Sequence, residues 1–379
     1  MEMTSKERMM AAMRLQVPDM VPVCPDVSNM IPCRLTGKPF WEVYMNGDPP
    51  RWKAYVDAVR YFGFDGWLDN GGFRFLYEPH TTSEETIVSR TEERLVRRTV
   101  THTPAGDLES EVTYYVADPP TQTVKPIKDV VADFEKLRYL VQVPTGYDDS
   151  VYRQARREMG ERGVVCINIG VPGFQDWFWY FQGGLEAVTY AWYDHPELML
   201  ELRDLQHARF VRQCQMALEV KPDVILTGGS GSLVMQSPTV YREVALPTLQ
   251  AITRMCREAG VLSMVHSCGP ERQLVKMAAQ ETDLNCINPL EISPMGDCNL
   301  ALLKKEFGDR ICLMGNLHTT EVMLRGTPQT VEAAARQAID DAAAGGGFIL
   351  STGDQCGRDT PDENIFRMIE VARTYGRYD

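Results

Sequence analysis

The sequence predicts a single (β/α)8 TIM barrel, and three observations support this fold class. The chain has 379 residues, enough for one large core, and α/β barrels often exceed the usual size of a domain. Short apolar runs recur along it, and each is followed by an amphipathic stretch typical of a helix. Eight such units are present, and eight close a parallel barrel. We therefore expect residues 1–379 to form one barrel domain.

The eight predicted strands are continuous apolar runs that end in Gly, Asn, Asp, Ser, His, Glu or Cys. Continuous runs are typical of strands that are buried on both faces, as in a parallel sheet covered by helices. An open, doubly wound sheet is the alternative arrangement for the same alternation. In chain order the runs are 21–26, 63–70, 164–170, 224–229, 262–269, 284–291, 311–318 and 347–356.

Start signals support the predicted helices between these strands. Residues 4–7 read as a capping box that opens the first helix. Ser-Pro at the start of 237–259 supplies a cap and a proline at the first helical position. Residues 360–363 are predicted to be a second capping box, which opens the last helix. The Ala-rich stretch 332–344 is a further helix and ends at three glycines.

One region, residues 73–120, departs from the repeat of strand and helix. Apolar and polar residues alternate in 86–100 and in 111–116, as in strands with one solvated face. Residues 104–107, Pro-Ala-Gly-Asp, supply a turn between these two arms. We expect an antiparallel β hairpin or small sheet inserted after strand 2 of the barrel. The insertion is either a decoration or a structure that covers the barrel mouth or docks a partner.

Charge and cysteine content exclude several classes of partner. The formal net charge is −13, whereas nucleic acids and anionic membranes are bound by clustered Lys and Arg. No apolar stretch reaches the roughly 20 residues that a membrane span requires. The ten cysteines are scattered, and the opening residues do not read as a secretory signal. We therefore expect a cytoplasmic protein with reduced thiols.

Two strand ends carry side chains that suit a zinc ion. His266 and Cys268 end the fifth predicted strand and lie two residues apart, so an extended backbone points them to the same side. Cys356 ends the eighth strand, and loops from both strands meet over the mouth of a closed barrel. Three protein ligands with an open position are the usual arrangement of a catalytic zinc site. The alternative role for each thiol is that of a buried core residue.

Other polar side chains near strand ends are candidates for catalysis or substrate contact, with loop or helix capping as the alternative role. Glu291 is the first candidate for a fourth zinc ligand or a proton carrier. His318 could orient a leaving oxygen, and Asn316 could donate a hydrogen bond. Asp354, beside the Gln355-Cys356 pair, belongs to the same group. The candidates for substrate binding are Asp26, Asp69, Asp176, Trp177 and Trp179.

The last two of these candidates belong to a segment dense in aromatic residues, 174–181, which follows the third strand. This segment is either a helix packed on the barrel or an apolar wall on which an aromatic substrate stacks.

These motifs resemble the uroporphyrinogen decarboxylase superfamily, specifically its zinc-dependent, corrinoid-linked methyltransferase branch. The resemblance covers nearly the whole chain, from the helix at 4–15 and Pro-Asp-Met-Val-Pro at 18–22 to the strand ends. His-Ser-Cys-Gly at 266–269 and Gly-Asp-Gln-Cys at 353–356 are similar to the metal motif of that branch. The resemblance implies a Zn2+ held by His266, Cys268 and Cys356.

The chain departs from the true decarboxylases in its first strand. There the family has an Arg-Gln-Ala-Gly-Arg run that binds the carboxylates of the substrate, whereas residues 24–30 are Cys-Pro-Asp-Val-Ser-Asn-Met. A porphyrinogen with many carboxylates needs such cations. Decarboxylation is therefore disfavoured.

The resemblance implies transfer of a methyl group in one of two directions. We favour O-demethylation, in which a methoxylated aromatic donor loses its methyl group to the cobalt(I) corrinoid of a partner protein. The aromatic segment 174–181 and the insertion, which is similar to that of demethylase-type members, support this direction. The alternative is a methylcobamide:thiol methyltransferase. Two other classes stay open, a metal-free decarboxylase and a non-catalytic ligand-binding relative.

Overall fold

Seven parallel strands form the curved central sheet of the computed structural model, which describes residues 2–378. Their order in the sheet is β1-β8-β9-β10-β11-β12-β13, which follows the order along the chain. The α/β barrel fold predicted from the sequence is confirmed. In chain order the strands within residues 2–378 are β1 Gly66–Leu68, β2 Arg74–Leu76, β3 Thr82–Arg90, β4 Arg94–Thr103, β5 Gly106–Tyr115, β6 Thr121–Val124, β7 Gly146–Asp148, β8 Gly163–Asn168, β9 Val224–Gly228, β10 Leu262–His266, β11 Cys286–Asn288, β12 Cys312–Leu317 and β13 Phe348–Thr352.

Helices follow the barrel strands and surround the sheet. Of the described residues, none belongs to a helix long and apolar enough to span a membrane. The helices are α1 Ser5–Met13, α2 Met30–Leu35, α3 Phe40–Tyr44, α4 Arg51–Phe62, α5 Val130–Leu140, α6 Ser150–Met159, α7 Phe174–Trp177, α8 Leu185–Asp194, α9 Pro196–Glu219, α10 Pro238–Val244, α11 Leu246–Ala259, α12 Arg272–Glu281, α13 Leu300–Phe307, α14 Pro328–Ala342 and α15 Asp362–Thr374, with a 3-10 turn at Gly160–Arg162 and a π-helical turn at Thr319–Leu324.

The prediction of a first strand at 21–26 is wrong. This part of the chain is extended, but it makes only one parallel bridge, between Val23 and Leu350 of β13. Pro22 and Pro25 cause the difference, because proline has no N–H to donate to a ladder of hydrogen bonds.

Residues 20–24, here called the closure segment, nevertheless close the barrel. The N–H of Leu350 donates to the carbonyl of Pro22, and the N–H of Cys24 donates to the carbonyl of Leu350, both at 2.9 Å. On the other side, the N–H of Asp65 donates to the carbonyl of Val23 at 2.9 Å. The closure segment therefore joins β13 to the residue just before β1.

An ion-pair network holds the closure segment to α1. The guanidinium of Arg8 is buried and donates to Oδ1 of Asp65 at 2.7 Å and to Oδ1 of Asp19 at 2.8 Å. The other oxygen of Asp65 accepts from the backbone N–H of Val23 at 2.8 Å. A side chain thus satisfies the N–H that would bond to a neighbouring strand in a regular sheet.

The start of the first helix agrees with the sequence prediction, whereas the start of the last helix differs from it. Thr4 and Glu7 form the predicted capping box of α1. At α15 the predicted box is absent: Pro361 occupies the cap position, and the hydroxyl of Thr360 is buried without a partner among the described residues. The helix predicted over 237–259 is interrupted at Ala245, where α10 ends before the proline in the first turn of α11.

The inserted antiparallel sheet is confirmed after the second predicted strand. Strands β3, β4, β5 and β6 form a four-stranded meander, in which the turn at 104–107 joins β4 to β5. The meander continues to Val124, beyond the predicted boundary at 120. Strand β2 lies outside it and pairs with β7 in a separate two-stranded sheet.

Two apolar cores meet near the mouth of the barrel. The larger fills the barrel and the layer beneath its helices. The smaller lies between the insertion and the helices that follow β8, so that the aromatic segment is anchored beside the mouth. Its members include Leu108 of β5, Phe134 of α5, Phe174 and Trp177 of α7, and Val188 of α8.

We predict that Arg8→Met lowers the free energy of unfolding by about 3–5 kcal/mol, because it leaves the buried carboxylate of Asp65 and the partly buried one of Asp19 without their counter-charge. Urea unfolding followed by circular dichroism measures the change. Arg14→Met, at the exposed residue directly after the helix, is the matched control and should stay within about 0.5 kcal/mol of the wild type. Equal stability of the two variants would show that the network does not hold the barrel closed.

Candidate functional site

Three side chains with metal-binding atoms come together at the carboxyl ends of the barrel strands. His266 is the last residue of β10, Cys268 follows two residues later, and Asp354 lies just after β13. One ligand atom from each lies within 4.8 Å of the others. His266 Nε2 and Asp354 Oδ1 are 3.8 Å apart. All three side chains are partly buried, so a bound ion would be shielded from bulk water without being enclosed.

The chemistry of this cluster fits a zinc ion. An imidazole, a thiol and a carboxylate are all ligands that Zn2+ accepts. The Nδ1 atom of His266 is buried and has no hydrogen-bond partner among the described residues. Asp354 has a φ of 99°, a left-handed conformation that is uncommon for residues other than glycine. Such strain is tolerated where the surroundings hold a side chain in place for a function.

Cys356, the third ligand expected from the sequence, is not part of this cluster. Its thiol belongs to the buried apolar core, and burial raises its pKa to about 12. Its backbone N–H donates to the carbonyl of Asp26 at 2.8 Å. The loop after β13 therefore presents Asp354 to His266, while Cys356 packs against the first βα loop.

Glu291 lies beside the cluster. One of its carboxylate oxygens accepts from the backbone N–H of Gly269, one residue after Cys268. Burial raises the pKa of Glu291, the charge of Asp354 raises it further, and His266 opposes both. A carboxylate at this position can serve as a metal ligand or carry a proton, as the sequence suggested.

A cavity of about 500 Å3, here called the mouth cavity, contains His266 and Asp354. Asp26 and Asp69, both candidates from the sequence, line it. Burial raises the pKa of each of these two carboxyl groups. The ring of Trp67 also lines the cavity and stacks on His266 with centroids 6.3 Å apart. The site therefore combines several acidic groups with one aromatic wall.

A second cavity of about 560 Å3, here called the aromatic cavity, adjoins the mouth cavity. The two share the lining residues Asn168, Gly228, Gly229 and Ser230, which lie between them and are here called the neck. Asp176 and Trp179 line the aromatic cavity, and Trp179 is 52% exposed. The other aromatic residues of the wall are Phe73, Phe75, Tyr77, Phe178 and Phe210.

Trp177, by contrast, does not line either cavity. Its side chain is fully buried in the smaller core, and its indole N–H donates to Oε1 of Gln206 at 2.7 Å. The structure therefore does not support the expectation that Trp177 contacts substrate. Phe174 and Trp177 pack in the smaller core, whereas Phe178 and Trp179 line the aromatic cavity.

Asn316 and His318, both catalytic candidates from the sequence, make hydrogen bonds within the fold. The amide nitrogen of Asn316 donates to the carbonyl of Leu290 at 2.9 Å inside the protein. Nδ1 of His318 caps the π-helical turn, accepting from the N–H groups of Thr320 and Glu321 at 3.1 and 3.2 Å. Neither side chain lines the mouth cavity or the aromatic cavity.

Sequence reasoning missed the residues that reach the aromatic cavity from outside the barrel strands. Phe73, Phe75 and Tyr77 come from β2 and the residues flanking it, and Arg209 comes from the middle of α9. The density of aromatics at 73–77 was a signal that could have been used. Nothing in the pattern of α9 distinguishes Arg209 from the other charged residues of a long helix.

A family model and a curated relative indicate the same protein family. Residues 111–375 match the family model described as Uroporphyrinogen decarboxylase (URO-D). Methylcobamide:CoM methyltransferase MtbA of Methanosarcina mazei is 30% identical over 135 residues, which are 36% of this chain and 37% of that protein. Uroporphyrinogen decarboxylase of Chlorobaculum tepidum is 26% identical over 214 residues, which are 51% of this chain and 54% of that protein.

The chain thus aligns with between 37% and 54% of the length of these curated relatives. A solved structure of a methyltransferase from Methanosarcina mazei superposes with a TM-score of 0.67 at 18% identity, and the match covers 99% of both chains. This likeness shows a common fold.

The pKa of Asp176 leads to a prediction about stability. Burial raises this pKa from its ordinary 3.8 to about 6. The folded state holds the proton more tightly than the unfolded state, so ionisation destabilises the fold as the pH rises from about 4 to about 6. Asp176→Asn still accepts from Gln206 and does not ionise. Its melting temperature relative to the wild type should increase over this interval and then level off.

Thermal melts between about pH 4 and pH 7.5 test this expectation. Asp204→Asn, at an exposed position of α9, is the control and should show no such increase. A difference between Asp176→Asn and the wild type that stays constant with pH would contradict it.

Proposed function

The chain belongs to the uroporphyrinogen decarboxylase (URO-D) family, and from that premise we propose that it is a zinc-dependent, corrinoid-dependent methyltransferase. In the favoured direction, it moves the methyl group of a methoxylated aromatic compound to the cobalt(I) corrinoid of a partner protein. The observation that carries the proposal is the cluster of His266, Cys268 and Asp354, two of which line a cavity that adjoins the aromatic cavity at the neck.

We assign the zinc to His266 and Cys268, with Asp354 as the third ligand. Cys356 is the alternative third ligand, because the resemblance to the methyltransferase branch implies it. Glu291, whose carboxylate accepts from the N–H of Gly269 beside Cys268, is the candidate for a fourth ligand or for exchange of a proton with a leaving oxygen. When bound, zinc would act as a Lewis acid on the ether oxygen of the donor.

The remaining residues bind and orient the donor. The rings of Phe73, Phe178 and Trp179 offer faces and edges on which an aromatic ring stacks, and they exclude water from the ring. Asn168 and Ser230 at the neck offer hydrogen bonds to the substituents of the donor near the metal. With the ring in the aromatic cavity, the methoxy group would project through the neck toward His266.

The opposite direction of transfer is the second candidate. The name of the Methanosarcina mazei relative says that it acts on a methylcobamide and on CoM. A thiol acceptor in the mouth cavity would then take the methyl group, and the aromatic cavity would have no part in the reaction. The size and the aromatic lining of that cavity favour the donor role.

Decarboxylation of a porphyrinogen is disfavoured by the charges of the site. None of the described residues that line the mouth cavity is Lys or Arg, whereas Asp26, Asp69 and Asp354 line it. A substrate with many carboxylates would be repelled there.

A partner protein carries the corrinoid in this proposal. A corrin macrocycle with its side chains is larger than the mouth cavity, so it would dock over the barrel mouth on its own protein. Cobalt(I) and free thiols both require reducing conditions, which agrees with the expectation of a cytoplasmic protein.

We predict that the purified protein binds about one zinc per chain. Elemental analysis by mass spectrometry should find that His266→Ala and Cys268→Ala each lose at least about nine tenths of it, because each removes a ligand. Asp354→Asn and Cys356→Ser decide the third ligand, since only the variant of the true ligand should lose zinc. Cys256→Ser, at a buried thiol of α11, is the control. Full zinc content in both His266→Ala and Cys268→Ala would reject the site.

The direction of transfer is tested with cobalt(I) cobalamin and a panel of methoxylated aromatics, methanol, methylamines and methyl thioethers. We expect methylcobalt absorbance to appear with methoxylated aromatics alone, because only they fill the aromatic cavity. Methylcobalamin mixed with simple thiols tests the other direction. Loss of methylcobalt absorbance in that mixture, with no reaction of any ether, would replace the favoured direction by the alternative.

A further inference from the structure

An arginine at the far wall of the aromatic cavity is held by neutral groups only. Arg209 is partly buried on α9, and its terminal nitrogens donate to the carbonyl of Leu140 at 2.7 Å and to the hydroxyl of Tyr77 at 3.1 Å. Its guanidinium carbon lies 5.2 Å from the centre of the Tyr77 ring. These contacts fix the guanidinium in one orientation without neutralising its charge.

Arg209 has no close ion pair. Within residues 2–378, no carboxylate lies within the 4.0 Å of an ion pair with this guanidinium, although the charge of Asp176 in the same cavity interacts with it over a longer distance. The Nε–H of Arg209 is buried without a hydrogen-bond partner in the described part of the chain. Arg74, the other cation of the aromatic cavity, is paired with Asp148 at 2.9 Å. A guanidinium without a hydrogen-bonded carboxylate can therefore form a close ion pair with an anionic ligand.

Arg209 and Tyr77 keep hydrogen-bond donors that the contacts described above do not use. A guanidinium has five N–H groups, and the two recorded bonds leave a second N–H on each terminal nitrogen. The hydroxyl of Tyr77 accepts from both Arg209 and Gln213, the latter at 2.9 Å, so its own O–H stays available as a donor. A planar guanidinium and a hydroxyl match the two oxygens of a carboxylate.

We infer that Arg209, with Tyr77, binds an anionic substituent of the aromatic methyl donor and thereby determines its specificity. The inference rests on the proposed function and names the substrate class more closely, as a methoxylated aromatic carboxylate with one anionic group. The carboxylate occupies the end of the aromatic cavity at Arg209, the ring stacks on the aromatic wall, and the methoxy group points toward the neck.

Two glycines keep the backbone of the neck close to its neighbours. Gly228 has a φ of +89°, which favours glycine. A Cβ on Gly229 would lie 2.9 Å from Cγ of Gln175, closer than packing allows. Gln175 is itself fixed by hydrogen bonds to Val171 and Gln236. A larger residue at either glycine would therefore disturb the backbone that lies between the two cavities.

Equilibrium binding tests the inference without requiring methyl transfer. Isothermal titration calorimetry of the full chain compares 4-methoxybenzoate and 3-methoxybenzoate with the neutral 4-methoxybenzamide. We expect at least one of the two acids to bind roughly ten times more tightly than the amide, and Arg209→Met to abolish this preference. Arg209→Lys should keep part of it, because lysine retains the charge without the planar fork. Arg212→Met, one turn further along α9 and outside the cavity, should leave the preference unchanged.

Two results would overturn the inference: equal affinity of the wild type for both acids and the amide, or an unchanged preference in Arg209→Met. Circular dichroism shows whether Arg209→Met folds; if it does not, the wild-type preference and Arg209→Lys still decide. Failure of the proposed function is a separate result. In that case the acids still bind through Arg209, and no methoxylated compound gives methylcobalt absorbance.

Discussion

The barrel depends on the ion pair between Arg8 and Asp65, because the closure segment cannot form a regular strand. Pro22 and Pro25 have no N–H to donate to a neighbouring strand. The carboxylate of Asp65 accepts from the N–H of Val23, and Arg8 compensates the buried charge of Asp65. A helix at the start of the chain, α1, is therefore part of the closure of the sheet. The continuous apolar run at 21–24 drives burial, but charge pairing sets the position of the segment.

The same closure positions the candidate site. Beyond the closure segment, the N–H of Asp26 donates to the hydroxyl of Thr352 at 3.0 Å, and the carbonyl of Asp26 accepts from Cys356. These two hydrogen bonds thus connect the first and last βα loops beyond the contact between the closure segment and β13. Asp354 lies between these two anchors in a left-handed conformation that turns its carboxylate toward His266. The conformation of residues 352–356 therefore determines whether Asp354 or Cys356 faces a metal held by His266.

The sequence predicted the fold well because apolar runs and caps are local signals, and it predicted His266 and Cys268 because two residues on one strand end share a side. It did not predict that Asp354 lies in the cluster where Cys356 was expected, because this depends on loop conformation, or that Trp177 is buried, because its side on a short helix depends on packing against Gln206. The role of Arg209 could not be predicted from the sequence for another reason. Its importance comes from its place in the aromatic cavity without a carboxylate at ion-pair distance among the described residues, which only the three-dimensional arrangement reveals.

The two cavities differ in charge, and this difference orients a substrate. Asp26, Asp69 and Asp354 line the mouth cavity with Glu291 close by, and burial raises the pKa of Asp26, Asp69 and Glu291. Such a site disfavours an anion and is suited to a cation, which the metal would supply. An anionic aromatic compound that entered with its carboxylate first would face this acidic lining. The favourable end for the carboxylate is the aromatic cavity at Arg209, which leaves the uncharged ether as the only end that can approach His266 and Cys268.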